Sequence, residues 1–239
     1  MLKGSGRAHD STNMSRSPFE PGFSELPQII PIFPLPGVLV LPGGKLPLNL
    51  FEPRYLAMAA DALAGHRIIG MIQPMDPQAV TGKGDDNPPV YPTGCAGRVT
   101  QFSETDDARY LVTLHGLCRF RVMKELPLQR GYRRVIAAWN GFENDMAEQP
   151  AAIKIDRDRL VRALKSFFHL HQIKANWDAI KETPDDRLIT SLAMVCPFAP
   201  NEKQALLECP DGTERARVMT ALMEMALLGS RRGDDSATH

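Results

Sequence analysis

No apolar run in this 239-residue chain approaches the ~20 residues needed to span a bilayer. Val38-Leu39-Val40-Leu41 stops at Pro42. The opening MLKGSGRAHDSTN has no apolar centre, which excludes an ordinary secretory signal. An excess of one charge is missing as well: Lys plus Arg and Asp plus Glu number 28 each, a formal net charge of zero. Surfaces that neutralise many phosphates, and polybasic membrane binders, usually carry a basic excess, so the balance argues against both as general partners. Cysteine is scarce. Cys95, Cys118, Cys196 and Cys209 show no CxxC spacing, and reduced thiols packed as small hydrophobes are expected rather than a disulfide or zinc framework. That places the chain in the cytoplasm. What is present, 43% hydrophobic and 23% charged residues, belongs to an ordinary globular protein long enough to bury a core.

The Gly-, Ser- and Pro-rich residues 1–26 suggest a disordered arm, with Met14 a second candidate start, and residues 230–239 suggest a similar tail. Between them the pattern changes near residue 148. In 27–147 it is β-like. Gln28–Phe33 is a short apolar run interrupted by Pro31, which predicts an edge strand. Arg67–Pro74 is another apolar run. In 109–123, Tyr110, Val112, Leu114, Cys118, Phe120 and Val122 share one parity, while Thr113, His115, Arg119 and Arg121 take the other. That period of two predicts a half-buried antiparallel strand with the second set on its wet side. It forms a hairpin with 94–102 across the turn ETDDA, and 132–139 adds a strand. In 148–229 the spacing of Leu160, Leu164, Phe167 and His171 is helical, and DDRLITSLAMV gives a second helix stopped by Cys196-Pro197. Asn201 with Gln204, and Asp211 with Glu214, look like helix N-caps with a reciprocal partner. The fold class is therefore α+β: a small, partly closed antiparallel β-barrel with one inserted helix, then a helical bundle.

Gly43-Gly44-Lys45, after the strand-like VLVL, invites a phosphate-loop reading. G-x-x-x-x-G-K-[ST] needs glycine at Leu39 and a hydroxyl at Leu46, and Pro47 blocks the helix that should follow. The stretch is turn chemistry. In FEPRYLAMAADALAG, Pro53 suits the first helical position and Gly65 the end. Glu52 and Arg54 are candidate site residues, although a helix start uses such groups anyway. His169 and His171 are too close in sequence to chelate one metal from a helix, His115 has no ligand spacing, and Lys165-Ser166 point apart. With neither GxSxG nor HExxH, no catalytic, cofactor or metal residue is assigned. Arg119, Arg121, Arg130, Arg133 and Arg134 make the best case for a nucleic-acid patch, diluted by Glu104 and Glu125 and without interleaved aromatics.

IPIFPLPGVLVLPGGKLPLNLFEPRYLAM, GCAGRVTQF with ARYLVTLHGLCRFRV, and NEKQALLE with ERARVMTALM together resemble the N-terminal domain of Lon-type ATP-dependent proteases, over roughly residues 28–228. The resemblance implies a PUA-like barrel subdomain followed by a helical one. It also implies a role in recognising substrate polypeptide, with ATPase and Ser–Lys protease modules elsewhere in the family's proteins. The sequence to His239 contains neither module, so the expectation is a stand-alone, non-catalytic relative. Unfolded or flexible polypeptide is the expected partner and a Lon-type protease a further candidate. Arg54, Tyr55, Arg119 and Phe142 are the polypeptide-contacting residues that the resemblance points to. An RNA-binding PUA-like module and a cryptic hydrolase are the alternatives. One departure stands out: the family's Asp-Gly-Arg turn is Asp107-Ala108-Arg109 here, which raises the cost of a positive φ and puts the turn type in question.

Overall fold

The computed structural model describes residues 19–76, 87–147 and 152–236, with side chains to residue 229. The expected division at 147/148 adjoins residues 148–151, and most of the expected N-terminal arm is 1–18; both stretches lie outside the described residues. The strands are β1 (Ile29–Pro34), β2 (Lys45–Leu50), β3 (Ile68–Ile72), β4 (Thr93–Glu104), β5 (Tyr110–Gln129) and β6 (Tyr132–Ala138). The helices are α1 (Pro53–Ala64), α2 (Arg157–Leu170), α3 (Trp177–Glu182), α4 (Asp185–Val195), α5 (Pro200–Glu208) and α6 (Gly212–Ser236). α6 thus continues through residues 230–236, where a tail was expected.

The sheet order is β2-β5-β4-β3-β1-β6, and β6 pairs back onto β5. This closes a barrel and leaves β2 outside the ring. β5 is 20 residues long and serves both parts: its first half pairs with β2, its second with β6, and β4 runs beside much of it. The barrel is antiparallel except where β1 meets β3 in parallel. The connection between these two carries α1, and a parallel pair needs such a crossover. β1 is not an edge strand. It lies between β3 and β6, and Pro31 is tolerated because pairing with β3 begins only at Ile32. Ile30, Ile32, Ile72, Ala96, Phe120 and Val135 fill the barrel. A second, larger core runs from Val40, Met58 and Leu114 to Leu164, Leu192 and Met223, joining the strands to the helices.

Val38–Leu41 forms no strand. It is buried irregular chain leading into a turn in which Gly44 N–H donates to Leu41 O at 2.9 Å and Gly43 takes φ +76°. Pro42 and Gly43 are the second and third residues of a type II turn. Gly116 bonds this turn from both sides, donating to Gly44 O at 2.8 Å and accepting from Gly43 N–H at 2.9 Å. A Cβ on Gly44 would lie 2.4 Å from Met194 Sδ, so the glycines seat the turn between β5 and α4.

The helix ends follow local chemistry with one revision. Asp156 and Asp211 accept from Arg159 N–H and Glu214 N–H as N-caps should. α5 begins earlier than Asn201 suggests. Its N-cap is Ala199, whose N–H donates to Glu202, while Gln204 reaches back to Thr93 O on β4. α3 is held at its C-terminal end by Arg157, which donates to the carbonyls of Ile180, Lys181 and Thr183.

Candidate functional site

Arg119 sits on the polar parity of β5, but that face is covered by α5, not by water. Its side chain is 5% exposed and its partner Asp145 is 8% exposed. Nε and Nη2 donate to the two Asp145 oxygens at 2.8 and 2.7 Å, and the Arg119 backbone N–H also donates to Asp145 at 2.9 Å. Nη1 donates to Cys209 O at 2.6 Å and Leu207 O at 3.3 Å, and Nη2 to Pro210 O at 3.2 Å. The guanidinium therefore satisfies carbonyls left open at the end of α5, where a cation is favoured. Burial works against the charge, but the bonds and charge of Asp145 outweigh it and raise the guanidinium pKa. Phe142 lies beneath, 4.9 Å from the guanidinium carbon to ring centre.

The other two expected site residues form a separate pair. Arg54 stacks on Tyr55 at 4.8 Å and bonds Glu52 at 3.0 Å, while Tyr55 packs on Phe33 with ring centres 4.2 Å apart. Tyr55 belongs to the core between strands and helices, and Phe142 to the barrel interior. Three of the four are interior groups; Arg54 alone is partly open. The arginine-rich stretch does not assemble into a patch either. Arg133 is buried against Glu125 at 2.6 Å and Pro88 O at 2.8 Å, and Arg130 pairs with Asp61 at 2.6 Å. Asp61 and Asp145, distant in sequence, together with nearby Glu125, thus neutralise much of what looked like a basic stripe.

The thiols are free and buried. Burial pushes Cys118 and Cys196 up to about 12, and raises Cys95 and Cys209 as well. Among the described residues no helix is long and apolar enough to cross a membrane.

The open surface lies on β2 and the halves of β4 and β5 that extend beyond the barrel. Phe51, Phe102 and Leu111 are 62%, 39% and 45% exposed there. Phe102 meets Tyr110 edge-on at 4.9 Å, and Arg109 lies over Phe51 at 5.7 Å. An open groove of about 530 Å³ is lined by residues including Pro47, Asn49, Gln101, Leu111 and Thr113. The reading of the residues missed this surface. Its one signal was Leu111, an apolar residue on the parity otherwise held by Thr113 and His115.

Residues 29–225 match the family described as the ATP-dependent protease La (LON) substrate-binding domain. The chain belongs to that family. Among its curated Lon relatives, Lon protease 2 of Myxococcus xanthus is 26% identical over 203 residues, covering 83% of this chain and 24% of the relative. The Lon protease of Dictyoglomus thermophilum is 24% identical, covering 82% and 24%. The chain thus spans about a quarter of the length of these relatives. The Lon N-terminal domain protein from Xanthomonas campestris has a similar fold, with a TM-score of 0.55 at 21% identity over 81% of this chain and 97% of that one. The N-terminal domain of the Mycobacterium avium complex Lon protease gives 0.54 at 18% identity, over 82% and 98%.

Proposed function

We propose that this Lon-type domain works as a non-catalytic module that holds unfolded or flexible polypeptide segments, needs no cofactor, and acts in the cytoplasm. The observation that carries the reading is the exposure of Phe51, Phe102 and Leu111 on one extension of the sheet, with Leu111 on one face and Phe102, opposite buried Val112, on the other. Such side chains gain by covering, at ~25 cal/mol per Å² of apolar area removed from water. The family description, a substrate-binding domain, supports polypeptide as the cover. Tyr55, Arg119 and Phe142 would act from behind, fixing the scaffold that presents this surface, with Arg54 at its margin. A Lon-type protease is the proposed partner that would receive the client. The buried, unpaired thiols support the compartment.

The test is fluorescence anisotropy of labelled, permanently unfolded casein with the full chain. Binding is expected, weakened about thirtyfold when Phe51 and Leu111 are both changed to Ser, since each truncation removes ~1 kcal/mol or more of apolar contact. Casein should stay intact with and without ATP. Absence of binding, or cleavage by purified chain, overturns the proposal. RNA binding has lost its main supporting feature, because Arg119 and Arg133 are buried in ion pairs.

A further inference from the structure

β2 ends the sheet, pairing with β5 and with no other strand among the described residues. The phase of that pairing is fixed at its start, where Gly116 N–H donates to Gly44 O and Lys45 falls opposite His115. Backbone direction alternates along an antiparallel ladder. Leu46, Leu48 and Leu50 therefore turn their N–H and C=O groups toward β5, while Lys45, Pro47 and Asn49 turn theirs outward. Pro47 is tolerated inside β2 for that reason: the donor it lacks would have faced away from β5. The outer edge thus offers a donor and an acceptor at Lys45, an acceptor at Pro47, and a donor and an acceptor at Asn49.

The edge also has electrical polarity. Lys45, His115 and Arg98 lie in one row across β2, β5 and β4. Lys45 and Arg98 have no ion-pair partner among the described residues, while His115 is 3.5 Å from Glu20. At the opposite end, Leu50 is in the row of Tyr110 and Glu104, and the hairpin beyond adds Asp106 and Asp107, the latter paired with Arg109 at 2.7 Å. One end of β2 is cationic and the other acidic.

We propose that the outer edge of β2 is a strand-addition site for an extended polypeptide segment, which pairs antiparallel to β2 with a basic N-terminal flank and an acidic C-terminal flank. The inference rests on the polypeptide-binding reading and specifies its geometry. Antiparallel addition continues the β2–β5 ladder and sets the segment's C-terminal side beside Lys45. Alternate residues of the added strand fall beside Leu46 and Leu48, half-buried on the inner face, so apolar residues are wanted at every second position. Lys45 and Pro47 at the same time discourage indiscriminate edge pairing, because a partner opposite Pro47 finds one donor missing.

The probe is a short synthetic peptide alternating Val and Thr, with Lys at its N-terminal and Glu at its C-terminal flank, measured against the full chain by anisotropy. N-methylation of alternate amides on one parity should lower affinity about tenfold or more, since it removes the backbone bonds to β2, while the other parity changes it less than about twofold. Exchanging the flanking charges should weaken binding about threefold at low salt and much less at high salt. Asn49→Pro removes one outward donor and no bond to β5, so it should lower affinity about fivefold with an unchanged unfolding midpoint. If that variant fails to fold, the N-methyl pair still decides on the native chain. Equal losses for both parities, or no peptide binding by a chain that still retains unfolded casein, overturn strand addition alone. A chain that binds neither peptide nor casein removes the broader reading.

Discussion

Gly116 on β5 lies against the carbonyl of Leu41, so closely that a Cβ on Gly116 would come within 2.0 Å of that oxygen. The obstacle is backbone already engaged in the turn that seats β2, so no side chain can swing aside. Gly116→Ala is expected to lower stability by about 3 kcal/mol, read as a shift in the urea midpoint. Gly43→Ala meets open space and only the strain of φ +76°, about 1 kcal/mol.

The turn between β4 and β5 carries the opposite defect. Ala108 adopts φ +60°, a conformation that glycine takes without strain. Its N–H donates to Thr105 O at 3.1 Å, and Thr105 N–H to Arg109 O at 3.0 Å, so the turn is formed despite the side chain. Ala108→Gly should therefore stabilise the chain, by about 1 kcal/mol less the entropy glycine loses on folding. Thermal unfolding would detect it, and a lower midpoint would contradict it.

Arg119 and Asp145 are buried together, so either one left alone is an unpaired charge in the interior. Arg119→Met is expected to cost roughly 3–5 kcal/mol, because Asp145 and three carbonyls lose their partner. Adding Asp145→Leu should return part of that loss. Chemical denaturation of the two single variants and the double variant measures the coupling, and strict additivity would exclude it.

Asp61 ties α1 to the β5–β6 hairpin, accepting from Tyr132 OH at 2.8 Å, Arg130 at 2.6 Å and Gln129 at 3.2 Å. The Tyr132 bond, with help from Arg130 and Gln129, holds the carboxyl below its ordinary 3.8. Burial, then the bond to Asp61, pushes Tyr132 from 10.0 up to about 12. The Asp61 contribution is present above the unfolded carboxylate value and is lost as pH falls through the lower folded one. The Tyr132 contribution is complete below 10 and is lost as pH rises toward about 12. Urea midpoints against pH should fall at both ends. Tyr132→Phe should flatten the alkaline limb, and Asp61→Asn the acid one.

The thiols should be silent in the native chain. With Cys118 and Cys196 near 12, only about one molecule in ten thousand carries either thiolate at pH 8. Ellman's reagent is expected to react slowly until denaturant is added, and then to titrate four thiols. Rapid labelling without denaturant would show that the core around them opens.

What could be read from residues alone was local. The parity of 110–122 marked β5, the apolar spacing of 160–168 marked α2, and Asp211 marked the start of α6, because each pattern is set by neighbours in sequence. What escaped depends on distant chain. Arg119 has the parity of a surface residue and becomes interior only when Cys209 and Pro210, some ninety positions on, bring their carbonyls to it. Val38–Leu41 has strand composition, yet packing against Gly116 and the following turn leaves it unpaired. Pro31 looked like an edge signal, and only the register of β1 with β3 shows how a proline sits inside the barrel wall.

The length of β5 has a mechanical meaning. One continuous strand carries β2 on its first half and closes the barrel with its second, with a bulge at Leu117 between the two. Load drawn lengthwise along β2 would be shared in shear by the whole β2–β5 ladder and passed down β5 into the barrel wall. The same load applied sideways would peel that ladder one bond at a time. A segment held on this extension would resist tension along its own axis and yield to tension across it.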